Sequence, residues 1–144
     1  MNTKNILTAF LITSSFLTFA QQKGKSAQLP KEANTFLEAN FKGVEIQNVK
    51  KEKQGTTFKY EVKLVNGAAI EFNNRGRWQE LESNAASLPT TMLHSSVASY
   101  IQKNYAGATV TEVKKGIRFN FVEINNSETL QFDSEGKFIK LLVE

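Results

Sequence analysis

The stretch that decides the fold is Tyr60-Glu61-Val62-Lys63-Leu64-Val65-Asn66-Gly67-Ala68-Ala69-Ile70-Glu71-Phe72-Asn73-Asn74-Arg75-Gly76-Arg77-Trp78. Apolar and charged residues alternate from Phe58 to Leu64, the period of a strand with one buried and one wet face. Two turn signals follow, each closed by a glycine. If Val65-Asn66-Gly67 is a three-residue loop with Gly67 left-handed, Leu64 lies opposite Ala68, Val62 opposite Ile70 and Tyr60 opposite Phe72. A two-residue Asn66-Gly67 turn sets Val62 opposite Glu71 and mixes core with solvent, so the longer loop is preferred. The same count over Asn74-Arg75-Gly76 places Phe72 opposite Trp78.

Working outward, the pattern recurs. Leu130-Gln131-Phe132-Asp133-Ser134-Glu135-Gly136-Lys137-Phe138 has the same Gly-closed form and sets Phe132 opposite Phe138. Upstream of the first pattern, Leu29-Pro30 opens an amphipathic helix whose apolar face is Ala33, Phe36, Leu37 and Phe41, stopped by Gly43. Leu88-Pro89 opens another, with Leu93, Val97, Tyr100, Ile101 and Tyr105 on its stripe and Gly107 after it. The second helix is expected to be about five residues longer. Strands beginning near Val44 and Ala108 follow the helices. The reading is α+β, two tandem α-β-β-β-β repeats (29–82 and 88–144) joined by a Ser83–Ser87 linker. Each has an antiparallel meander with a helix on one face. The second repeat is less regular: Phe119 and Phe121 have one phase, Val122 and Ile124 the other. A bulge near Phe121, or burial on both faces where the repeats meet, accounts for this.

The N-terminus reads as an export signal spanning 1–20. Lys4 precedes the apolar run Ile6–Ile12, and Thr18 and Ala20 are the small residues of a cleavage site. Residues 21–28 read as a loose leader. Cysteine is absent from the 144 residues, so neither disulfides nor a lipidated thiol are expected. The product is expected to be periplasmic or secreted, without a membrane anchor after cleavage. The net charge of +4 is mild and without a concentrated basic face, which argues against a nucleic-acid partner.

The run of Leu-Pro, helix, Tyr60–Leu64, Asn66-Gly67, Ile70–Phe72, Gly76 and Trp78 resembles the PepSY-like, beta-lactamase-inhibitor-like family of small exported bacterial proteins. The resemblance covers Leu29 to Glu144. It implies a repeat pair similar to beta-lactamase inhibitory protein, whose joined sheets form a concave surface gripping a partner. Members of the wider PepSY group occur in propeptides of thermolysin-type metallopeptidases, where restraint of the protease is the implied role.

No catalytic constellation stands out, and the reading is of a non-enzymatic protein with no cofactor and no metal. His94 is the only histidine. The adjacent Ser95 and Ser96 are expected to point away from it, and no nearby acid orients the ring. Glu71, Glu80 and Glu82 read as solvated strand positions. Asp133–Gly136 lacks the further oxygen ligands of a calcium loop and reads as a turn. The aromatic residues Tyr60, Phe72, Trp78, Phe132 and Phe138 share the core phase. The remaining candidate is the opposite sheet face, on which the registers place Lys59, Glu61, Lys63, Glu71, Asn73, Arg77 and Gln79. It reads as a mixed-charge docking surface for an envelope or secreted protein or peptide. The alternatives are a small-ligand or glycan sensor with a pocket near Phe121, and an inhibitor of an exported peptidase or beta-lactamase.

Overall fold

Thr57 to Leu64 form a strand because alternate side chains find a core: Tyr60, Val62 and Leu64 are buried while Lys59, Glu61 and Lys63 are not. In a computed structural model that describes residues 27–142, this strand belongs to one antiparallel sheet of eight strands in chain order. The order is α1 (Lys31–Asn40), β1 (Ile46–Gln54), β2 (Thr57–Leu64), β3 (Ala68–Asn73) and β4 (Trp78–Ser83). It continues with a 3-10 turn (Thr90–Met92), α2 (Ser95–Asn104), β5 (Val110–Lys115), β6 (Phe119–Ile124), β7 (Glu128–Asp133) and β8 (Phe138–Leu142). The export-signal reading of 1–20 lies outside the described residues. The leader reading of 21–28 lies largely outside them, but Ala27 already packs against the core.

The pairings follow the turn counts. Val62 faces Ile70, Tyr60 faces Phe72, Phe72 faces Trp78 and Phe132 faces Phe138. Gly67, Gly76 and Gly136 all have positive φ, the conformation that closes each loop without a Cβ penalty. Paired residues point to the same side, so one row runs across the sheet: Val49, Val62, Ile70, Leu81, Val113, Val122, Leu130. These seven are buried, most of them completely. Both helices cover this face. Phe36 of α1 meets Phe72 edge-on at 5.7 Å, and Tyr100 of α2 meets Phe132 edge-on at 5.6 Å and stacks on Phe138 at 4.4 Å. Edge-on and offset contacts are the favoured aromatic geometries.

Three expectations need correction. First, α2 is no longer than α1, both having ten residues. Pro89 opens a 3-10 turn, Leu93 is extended, and His94 caps a fresh helix by accepting from Ser96 N–H. Second, no bulge lies at Phe121. The β6–β7 register is unbroken from Phe119–Asp133 to Ile124–Glu128, and Phe119 is simply exposed at the strand's end. The halves meet instead where β4 pairs β5, through Glu80–Lys114, Leu81–Val113 and Glu82–Glu112. Third, bulges occur elsewhere. One interrupts β4 beside Glu71/Phe72 and another β8 beside Gln131/Phe132; two more interrupt β1 and β5 near their starts. A bulge adds one residue to one strand and sharpens its twist, and those in β4 and β8 reset the phase after an otherwise correct count.

Two of the hairpin glycines, Gly76 and Gly136, also seat a helix. A Cβ on Gly76 would lie 2.8 Å from Ala33 N at the start of α1, and one on Gly136 would meet Ser96 and His94 at the start of α2. The Ser96 hydroxyl reaches the carbonyls of Glu135 (3.1 Å) and Gly136 (2.9 Å). The backbones of the β3–β4 and β7–β8 hairpins therefore dock directly on the N-termini of α1 and α2.

Candidate functional site

Among the described residues no helix covers the second face of the sheet. On it the structure brings together Lys59, Glu61, Lys63 and Glu71, with Glu61 directly opposite Glu71. Lys59 Nζ lies 2.6 Å from Glu71 Oε2 and 3.6 Å from Glu52 Oε2, and Lys63 Nζ lies 3.3 Å from Glu61 Oε1. The hydrogen bond from Lys59 to Glu71 holds the ammonium above its ordinary pKa. Lys50 and Glu52 form a further exposed pair.

The other three residues named from the sequence have more local contacts. Asn73 Oδ1 accepts from the N–H groups of Arg75 (3.0 Å) and Arg77 (3.1 Å), which shapes the turn. Gln79 occupies the β4 bulge, and its amide donates to the carbonyls of Trp78 (2.9 Å) and Arg77 (3.3 Å). Because of that extra residue, Glu80 stands opposite Glu71, the place the uninterrupted count gave to Gln79. Arg77 bears electrostatically on Lys115.

Continuing the register across β4, β5 and β6 exposes a feature that the sequence reading dispersed among separate strands. One row reads Glu61–Glu71–Glu80 and the next reads Glu82–Glu112–Glu123. Each carboxylate of the first row has a lysine: Lys63, Lys59, and Lys114 at 2.9 Å from Glu80. Among the described residues none of the second row is ion-paired; Glu123 Oε1 accepts from the Thr111 hydroxyl at 2.9 Å. Burial, then the Glu80 charge, raises the Glu112 pKa, with Lys114 opposing and Glu123 and Glu82 adding to the rise. Lys114 in turn is raised by its hydrogen bond to Glu80. No local signal in the sequence announces this row, because no turn joins β4 to β5 and only the meeting of the two halves sets Glu82 against Glu112.

Other candidates resolve into packing. His94 Nδ1 lies 2.7 Å from Ser96 Oγ, a contact not expected from their spacing, but that hydroxyl is directed at the Glu135 and Gly136 carbonyls. The pair thus ties α2 to the β7–β8 hairpin. Asp133 Oδ1 accepts from Glu135 N–H and Lys137 N–H, as a turn residue does. Trp78 and Phe138 pack against the core. Among the described residues no group of three or more His, Cys, Asp or Glu is arranged to hold a metal ion, and no helix is long and apolar enough to cross a membrane.

Similarity to known proteins agrees with this architecture. Residues 58–140, more than half of the chain, match the family described as "Putative beta-lactamase-inhibitor-like, PepSY-like". No curated protein matches the chain. Among solved structures, a "putative calcium-regulated periplasmic protein" of Bacteroides thetaiotaomicron is 26% identical with a TM-score of 0.75, covering 80% of this chain and 91% of that one. A "putative periplasmic protein of unknown function" of Bacteroides vulgatus is 28% identical with a TM-score of 0.74, covering 80% and 92%. With one eight-stranded antiparallel sheet and two helices on one face among the described residues, and the matched family signature, the chain belongs to the PepSY-like, beta-lactamase-inhibitor-like family.

Proposed function

We propose that this protein is an exported, non-catalytic binding module that docks a protein or peptide on its helix-free sheet face. In this reading the module consists of two copies of one α-β-β-β-β unit, 29–82 and 88–144. The periplasmic descriptions of its structural relatives favour export. The matching placement of bulges and of helix-seating glycines in the two halves favours duplication.

The observation that carries the docking surface is the row Glu82–Glu112–Glu123. Like charges directly opposite on neighbouring strands destabilise a sheet by roughly 0.2–1 kcal/mol per pair. Here three stand in line with no ion pair among the described residues, beside a row in which every carboxylate has a lysine. Apart from the Thr111 hydroxyl on Glu123, and Lys114 acting on Glu112 through space, the row has no compensating partner among the described residues, and a local rule broken in this way favours a functional position. The complementary partner is a Lys- or Arg-bearing segment, and Lys59 and Lys63 at the margin fix its orientation through their own charges.

A defined probe tests this. A short extended peptide alternating Lys and Val is titrated calorimetrically into the purified mature protein, with a Gln-for-Lys peptide as control. The reading expects saturable binding that weakens with salt, and at least a tenfold loss (about 1.4 kcal/mol) in the triple variant Glu82→Gln/Glu112→Gln/Glu123→Gln. Equal binding of the control peptide, or no effect of the triple change, rules the acidic row out. Calcium titrated alone is a further arm, since one relative is described as calcium-regulated. Heat from calcium that the triple variant abolishes, with none from the Lys peptide, replaces the peptide by the ion as occupant.

A further inference from the structure

The helix side of the sheet holds a second candidate, independent of the docking face. Between the Trp78 end of β4, the Lys115 end of β5 and the start of α2 lies an open cavity of about 330 Å³. Its walls include Trp78, Met92, Leu93, Val97, Val113 and Val122. The volume is at the lower end of the roughly 300–1,000 Å³ usual for small-molecule sites. Among the described residues no carboxylate lines it.

Its mouth is cationic. The Lys115 ammonium sits over the Trp78 ring, 3.5 Å from the centroid. Lys115 is an exposed residue, but partial desolvation of its ammonium, and after it the charge of Arg77, holds its pKa below the ordinary value. Neither Lys115 nor Arg77 forms an ion pair among the described residues, whereas Lys59, Lys63 and Lys114 all do. Two neighbouring cations without an anion stand beside a cavity with an aliphatic wall, whose other polar lining is His94, Asn120 and Ser134. The Trp78 face offsets part of the cost of holding Lys115 there, as a cation over an aromatic ring is attracted by its quadrupole. A single anionic group on an apolar body supplies the rest: its charge meets Lys115 and its tail displaces water from Leu93, Val97 and Val122.

We infer that this cavity is a binding site for a small amphipathic carboxylate, with the Lys115 ammonium as the anion anchor and the aliphatic wall of α2 and β6 as the tail site. Taking each non-hydrogen atom as about the size of a water, roughly 30 Å³, the cavity admits about ten such atoms, the size of an eight-carbon fatty acid. At ordinary ligand efficiencies a ligand of that size binds with Kd between roughly 10 μM and 1 mM.

Trp78 is the only tryptophan of the chain, so its fluorescence reports on the site directly. Octanoate is titrated into the mature protein below its micellar range, with octanol as the uncharged counterpart. Saturable change with octanoate, at least about tenfold weaker with octanol, is the expected result. Lys115→Met weakens octanoate binding by about tenfold or more, and Lys115→Arg retains it. Because Lys115 is on the surface, these variants fold, which far-UV circular dichroism verifies. Val97→Phe fills the cavity and abolishes binding while the Lys115 anchor is intact. The assignment is overturned by no saturable change up to the solubility limit, by octanol binding as well as octanoate, or by undiminished binding in Lys115→Met.

Discussion

Four glycines with nearly the same backbone conformation offer a clean separation of strain from packing. Gly43, Gly76, Gly107 and Gly136 have φ of 79°, 79°, 81° and 80°. A Cβ on Gly43 or Gly107, just after the helices, meets nothing within 4 Å. One on Gly76 lies 2.8 Å from Ala33 N and 2.9 Å from Pro30 Cβ, and one on Gly136 collides with Ser96 Oγ and lies 2.9 Å from His94 Nδ1. Substitution by alanine costs about 1–2 kcal/mol of left-handed strain at all four. At Gly76 and Gly136 overpacking adds roughly 1–3 kcal/mol more. For a domain of this size each kcal/mol lowers Tm by about 3–6 °C. Gly43→Ala and Gly107→Ala should therefore lose roughly 5–10 °C, and Gly76→Ala and Gly136→Ala roughly 10–20 °C. Gly76→Ala should be the worse of the last two, because its closest neighbour is backbone, whereas at Gly136 it is the Ser96 hydroxyl, a side-chain atom that moves at the cost of its contacts to Glu135 and Gly136. Thermal and urea unfolding of the four purified variants measures this. Equal losses at all four positions would refute the claim that the hairpins seat the helices.

Phe132→Ala removes a fully buried ring that touches both Tyr100 and Phe138, and should cost about 3–5 kcal/mol by urea unfolding. A loss below about 1 kcal/mol means that Tyr100 and Phe138 collapse into the space. For Glu112 the sign follows from its raised pKa, ordinarily 4.5. Well below that value it is protonated both folded and unfolded and has no effect. As pH rises through the folded-state pKa, the folded protein ionises at greater cost than the unfolded chain. Glu112→Gln should thus be more stable than the parent at pH 7, with the gain gone by about pH 4 in a Tm series. A gain that persists in acid points to packing instead of charge.

Much of the fold is legible residue by residue. The alternation at Phe58–Leu64 and the glycines at 67, 76 and 136 sufficed to pair Val62 with Ile70 and the two aromatic couples, because a strand period and a loop length together leave a single register that buries one face. The helix stripes were equally plain in Ala33, Leu37, Val97 and Ile101, all buried. The break between Thr90–Met92 and Ser95 escaped the periodicity, since Leu93 packs on the core from an extended backbone nearly as it would from a helix. The bulges escaped it too, because an added residue that leaves the buried pairs intact has little compositional signature.

The chain alone thus determined the local pairings, the buried stripe and the family, all of which rest on interactions between residues close in sequence. The joining of β4 to β5, and with it the alignment of Glu82, Glu112 and Glu123, was decided only by tertiary structure. So was the placement of Lys115 over Trp78, two residues far apart in the chain. The physical reason is that no turn links those strands: their register is set by how two packed halves bring Leu81 against Val113, a contact whose geometry no local pattern encodes.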